Sequence, residues 1–209
     1  MQAGLDRACR DAGRGDRPLL VAVSKTFDAD AIRPLIAAGQ RHFGENRVQE
    51  AQAKWPELLA ETPGIVLHLV GQLQSNKAAE AVALFDVIHS IGRPSLVAAL
   101  AKAQAAAGKR PACYCQVNIG DESQKGGCAL ADLPALLEQA RAAALDVAGL
   151  MCVPPADVEP APYFALLAEH AKRLGLPGLS MGMSSDFETA ALLGSTVVRV
   201  GSALFGSRG

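Results

Sequence analysis

Residues 19–39 read LLVAVSKTFDADAIRPLIAAG, and the division of this stretch decides the fold. Its first five residues are apolar without polar alternation, as in a parallel strand buried on both faces. The polar Ser24-Lys25-Thr26 ends that run. Asp28 has the chemistry of a helix N-cap, a helical stretch runs to Ala38, and Gly39 stops it. The unit is therefore strand, polar rim, helix.

Outward from there the unit recurs. Short apolar runs at 42–43, 65–70, 87–89, 112–117, 147–150, 178–181 and 196–200 alternate with helical stretches. Those stretches begin near residue 48 and span about 76–85, 94–107, 133–144, 163–174 and 186–193. Eight strands, most followed by a helix, predict an α/β chain forming a single (β/α)8 TIM barrel near the lower size limit of that fold. A doubly wound open sheet is the alternative. The eighth strand leaves little room for a helix after it, and the amphipathic residues 5–12 are expected to fill that gap. No linker, low-complexity tract or composition break interrupts residues 1–209, so one domain is expected.

Charge and composition exclude several classes. Lys and Arg number 20 against 21 Asp and Glu, and the isoelectric point is near 6.4. That balance gives no electrostatic footprint for nucleic acid. No apolar run approaches the roughly 18 residues of a spanning helix, so no membrane contact is expected. Residues 1–16 are charged throughout, unlike a secretory signal, and a cytoplasmic location is expected. The five cysteines lack zinc spacing and read as free thiols in a reducing compartment. The four histidines show no metal-binding spacing either, so no metal site is expected.

In such a barrel, chemistry belongs to the C-terminal ends of the strands. Polar and glycine residues gather there, as a small polar ligand requires. Lys25 ends a strongly apolar strand, where an ammonium is costly to bury. Desolvation favours the neutral amine that attacks an aldehyde, whereas a lysine reaching from a strand end to solvent is the plainer reading. Gly182-Met183-Ser184-Ser185 and Arg199-Val200-Gly201-Ser202 follow strands seven and eight, the customary phosphate-binding loops of this fold. Backbone N–H groups and a serine hydroxyl there suit a phosphate; ordinary glycine turns with a serine cap are the alternative. A strand-end lysine with a phosphate cradle is the minimum needed to hold pyridoxal 5′-phosphate (PLP).

Seven ordered segments carry a resemblance: AVSK at 22–25, FGENRVQE at 43–50, HLVGQLQSNK at 68–77, VNIG at 117–120 with Glu122 and KGGC at 125–128, GLMCVPP at 149–155, LSMGMSSD at 179–186 and VRVGSALFG at 198–206. Together they resemble the YggS/PROSC family of pyridoxal-phosphate homeostasis proteins, from about residue 19 to the C-terminus. The resemblance implies a barrel similar to the alanine racemase N-terminal domain, with PLP held as an aldimine on Lys25. It implies that Ser184, Gly201 and Ser202 hold the phosphate, that Arg199 faces the pyridine nitrogen, and that Asn46 and Met151 line the ring pocket. Lys125 matches a second family lysine, thought to accept or relay the cofactor. Three departures stand out: a short stretch before Leu19, serine at 185 where an acidic residue is common, and Gly127 where serine is common.

The implied function is a PLP carrier and buffer without catalytic turnover, in exchange with apo-enzymes that use PLP and expected as a monomer. Arginine at the pyridine nitrogen only donates, leaving that nitrogen unprotonated and the ring a poor electron sink. A PLP-dependent amino-acid racemase is the alternative; it needs a second acid/base group opposite Lys25, and neither Tyr114 nor Tyr163 sits in an expected mouth loop. A phosphosugar-type enzyme would need a strand-end base, for which Glu45 is the obvious candidate.

Overall fold

In the computed structural model, residues 1–206 are described. Eight parallel strands close into a barrel in chain order: β1 (Leu19–Val23), β2 (His42–Glu45), β3 (Val66–Leu69), β4 (Val87–Ile91), β5 (Ala112–Val117), β6 (Asp146–Cys152), β7 (Gly178–Ser180) and β8 (Val197–Val200). β8 returns to β1 in parallel, with Leu19 beside Val197 and Val21 beside Arg199. That pairing closes the sheet and excludes the doubly wound alternative.

The helices are α1 (Gln2–Asp11), α2 (Ala29–Ala37), α3 (Val48–Glu61), α4 (Ala78–Leu84), α5 (Pro94–Ala107), α6 (Leu133–Ala142), α7 (Ala161–Arg173), α8 (Phe187–Leu192) and α9 (Ser202–Phe205). Asp28 caps α2 as expected, its carboxylate accepting from the Ala31 N–H at 3.0 Å. Gly108 ends α5 in the left-handed conformation. The expected helix over 76–85 instead opens with a 3₁₀ turn, Ser75–Lys77, before α4. α1 fills the outer ring beside β8: Leu5, Ala8 and Cys9 pack on Ala191, Val198 and Val200. Arg14, just past α1, fixes the junction by donating to the carbonyls of Ala191 and Ser195, both at 2.9 Å.

Side chains alternate across each strand. Ala22, Phe43, Leu67, Ile88, Cys113 and Leu150 face outward and share the main core with the helices. A separate cluster of Val21, Tyr114, Met151 and Val197 lies inside the barrel. The apolar reading of the strands holds for the outer face throughout and for the lumen only in part. β2, β3 and β4 each contribute a histidine to one hydrogen-bonded chain, and its bond from His89 to Ser180 joins strands that are not neighbours. That bond therefore crosses the lumen, whose filling is partly polar.

Candidate functional site

The turn after β1 is built from behind. Glu45, at the end of β2, is fully buried. Its Oε1 accepts from the Ser24 hydroxyl at 2.6 Å and the Trp55 indole N–H at 2.9 Å, and it meets Lys54 Nζ at 2.8 Å. Lys54 also donates to the carbonyls of Ser24 (2.8 Å) and Phe27 (2.9 Å). Glu50 pairs with Lys54 and accepts from the Thr26 N–H. Thr26 needs such a hold, because its φ of 68° is uncommon for a β-branched residue. Lys25 sits in the middle of this clamped turn, half-buried. The clamp was not foreseen from sequence, although Glu50 and Lys54 stand four apart on a helix face. Glu45 is committed to it and lines no part of the cavity described next, so it is no candidate for a catalytic base at the mouth.

Lys25 opens onto a cavity of about 350 Å³ at the C-terminal end of the barrel. Asn46, Ser184, Arg199, Gly201 and Ser202 line it as well. Six side chains or backbone positions singled out in the sequence thus converge from the ends of β1, β2, β7 and β8. Asn46 is held by close backbone approach: a Cβ on Gly71 would lie 2.3 Å from the Asn46 carbonyl oxygen. The loops after β7 and β8 touch where the Gly201 N–H faces the Ser184 hydroxyl at 3.4 Å. Gly182 starts the first of them at φ 95°, where a Cβ would come within 2.6 Å of the Ala190 Cβ. Only glycine suits both demands. Phe27 stacks on Phe205 at 4.5 Å, tying the lysine turn to the short helix after β8.

Arg199 is 5% exposed. Its Nη1 donates to the carbonyl of Ser180 at 2.6 Å and to that residue's hydroxyl, and its Nη2 donates to the Cys152 carbonyl at 2.9 Å. Burial lowers the guanidinium pKa from its ordinary value, yet arginine remains a donor-only cation.

Two expected residues stand elsewhere. Met151 is 1% exposed and packs with Val21, Tyr114 and Val197 inside the barrel. Val153, two residues further along the same segment and so on the same side, lines the cavity in its place. Lys125 is outside the cavity lining. Its Nζ pairs with Glu122 Oε2 at 2.5 Å and donates to the Pro154 carbonyl at 2.7 Å. Lys77 pairs with Glu80 at 3.0 Å and borders a different cavity, of about 730 Å³, with Arg47 and Gln72. Tyr114 is buried against His89, with ring centroids 4.7 Å apart. Among the described residues, no group of three His, Cys, Asp or Glu side chains is arranged to hold a metal, and no helix is long and apolar enough to cross a membrane.

A family model for the N-terminal domain of alanine racemase matches residues 7–209. The pyridoxal phosphate homeostasis protein of Pseudomonas aeruginosa is 42% identical over 214 residues, covering 99% of this chain and 92% of that one. The protein of the same name from Deinococcus radiodurans is 42% identical over 207 residues, covering 97% and 96%. Among solved structures, PipY of Synechococcus elongatus, with PLP bound, is 39% identical with a TM-score of 0.84, covering 97% of this chain and 100% of PipY. An alanine racemase of Clostridium difficile shares the fold at 14% identity and a TM-score of 0.72, with 99% of this chain matched to 56% of the racemase.

Proposed function

The chain belongs to the pyridoxal phosphate homeostasis proteins, within the alanine racemase N-terminal domain family, and from that premise we propose that it binds PLP at Lys25 and carries and buffers it without turnover. The observation that carries this reading is one juxtaposition: a half-buried amine, an arginine and the meeting of two glycine-serine loops share a single cavity of about 350 Å³. PLP supplies there an aldehyde that condenses reversibly with a primary amine. Lys25 offers that amine from a turn its neighbours hold fixed. Ser184, Ser202 and the backbone at Gly201 suit an anion, because first-turn N–H groups such as those at Ser202 have no partner within the helix. Asn46 and Val153 give the ring one polar and one apolar wall. Arg199, permanently charged, donates toward the pyridine nitrogen.

Carriage is favoured over racemisation by the same lining. It presents one amine and one guanidinium, but neither of the two tyrosines and no carboxylate among the described residues. Tyr114 is committed to the lumen, and Tyr163 packs against the outer core. We further propose that residues 1–209 act as one domain, a cytoplasmic monomer exchanging PLP with apo-enzymes. Lys125 serves as the accepting or relaying amine once it leaves Glu122 and Pro154. Met151 supports the ring pocket from beneath.

Loading the purified protein with PLP, reducing it with borohydride and mapping the pyridoxyl group by mass spectrometry tests the assignment. The adduct is expected on Lys25 and lost in Lys25→Ala. An adduct on another residue overturns the site. Racemase turnover by the loaded wild type overturns the carrier reading. Unchanged transfer to an apo-enzyme in Lys125→Ala removes the relay.

A further inference from the structure

Five side chains from five strands form one unbroken hydrogen-bonded wire through the lumen. His42 Nδ1 lies 3.0 Å from His68 Nε2, His68 Nδ1 lies 2.9 Å from His89 Nε2, and His89 Nδ1 lies 2.8 Å from the Ser180 hydroxyl, which accepts from Arg199. We propose that His89, acting through Ser180 and backed by His68 and His42, is a positioning residue for Arg199, and that the guanidinium in turn fixes the tautomer of all three imidazoles.

The argument is one of donors and acceptors. Arginine only donates, and a neutral imidazole has one N–H and one acceptor nitrogen. The Ser180 oxygen takes the Arg199 N–H, and among the described residues its own O–H has no acceptor but His89 Nδ1, to which it therefore donates. His89 must then carry its proton on Nε2 and donate to His68 Nδ1. His68 likewise donates from Nε2 to His42 Nδ1. The last N–H, on His42 Nε2, is left for the barrel floor, where His42 borders a cavity of about 230 Å³ with Arg17, Gln40 and Arg41. Every link then has one donor and one acceptor, as a buried network requires. A proton added to any of the three imidazoles would set donor against donor: N–H against N–H at His42 and His68, N–H against the Ser180 O–H at His89.

Burial supports the neutral state. It pushes the His68 pKa down to about 3 and holds that of His89 well below its ordinary value. Arginine cannot pass a proton on, so the wire is a clamp and not a proton conduit to the mouth. Committing the Ser180 hydroxyl proton to His89 makes its oxygen a better acceptor for Nη1. The guanidinium is then held by that oxygen and by the Ser180 and Cys152 carbonyls. The clamp itself is independent of any ligand. Its consequence for affinity rests on the PLP reading above.

The test uses the intact, cofactor-free protein with isotope-labelled histidine and arginine, examined by NMR, with His170 on outer helix α7 as the reference imidazole. His42, His68 and His89 are expected to be neutral, all with the proton on Nε2, and the Arg199 Nη protons to exchange slowly. Ser180→Ala should mix the tautomers as far as His42 and speed Arg199 exchange by about tenfold or more. His89→Phe, which retains a ring against Tyr114, should do the same to Arg199. Mixed tautomers in the wild type, or His42, His68 and Arg199 signals unmoved by either folded variant, overturn the proposal.

PLP is then titrated into the same samples. A weaker affinity and a displaced absorption band in Ser180→Ala are expected. Unchanged affinity and band, despite a broken wire, overturn the positioning role. A wild type that shows the wire yet takes up no PLP overturns the proposed function and leaves the clamp standing.

Discussion

Lys54 Nζ meets Glu45 Oε1 at 2.8 Å behind the turn that presents Lys25, the lysine side chain 10% exposed and the glutamate fully enclosed. The ammonium is the only cation paired with that carboxylate among the described residues, and it also gathers the Ser24 and Phe27 carbonyls. One ion pair therefore ties barrel, helix α3 and the lysine turn together.

Lys54→Ala should cost about 3–5 kcal/mol, because removing one partner of a buried pair leaves the other charge uncompensated. Urea unfolding followed by the fluorescence of Trp55, the chain's single tryptophan, measures this loss. Trp55 donates to Glu45 and reports on the same cluster. PLP uptake by the folded fraction should fall as well, since Thr26 and Lys25 lose their backing. A loss below about 1 kcal/mol would show that Glu45 does not depend on Lys54.

Acid should destabilise the protein in a defined window. The His68 pKa in the fold is near 3 and that of His89 also lies well below the ordinary value of 6.5, in both cases chiefly through burial. The unfolded chain therefore binds protons that the native chain refuses. Stability is full above about pH 6.5 and is lost as pH falls toward 3, by up to about 1.4 kcal/mol per pH unit for each histidine. Urea midpoints taken between pH 7 and pH 4 should decline accordingly, and His89→Phe should remove its share of the slope. A flat profile would mean that these imidazoles charge without leaving the lumen.

All five cysteines should be silent in the native protein. Each is buried, and burial pushes the thiols of Cys113, Cys115 and Cys152 up to about 12 and that of Cys128 to about 11. Thiolate is the reactive form, so both access and ionisation oppose modification of these four, and burial shields Cys9. An aromatic disulfide reagent at pH 8 should count none before unfolding and five after it. A thiol that reacts quickly in the native state would mark a local opening.

The barrel was legible in residues 19–200 because strand and helix signals are local. Five apolar residues, a polar rim, an Asp28 cap and a Gly39 stop lie within one short window, and the strand signal returns seven more times, mostly with a helix after it. The rim position of Lys25, Asn46, Ser184, Arg199, Gly201 and Ser202 followed from the same reading, since a strand end is an address in sequence and in space. Tertiary structure alone decided the depth at which each side chain sits. It set Met151 below the cavity and Val153 at it, tied Lys125 to Glu122, and placed Glu45 and Lys54 behind the lysine turn. It also joined His42, His68, His89, Ser180 and Arg199, whose spacings in the chain carry no common period. Barrel closure brings β4 opposite β7 and β8 beside β1, and hydrogen bonds across a lumen depend on that closure rather than on any neighbour in sequence.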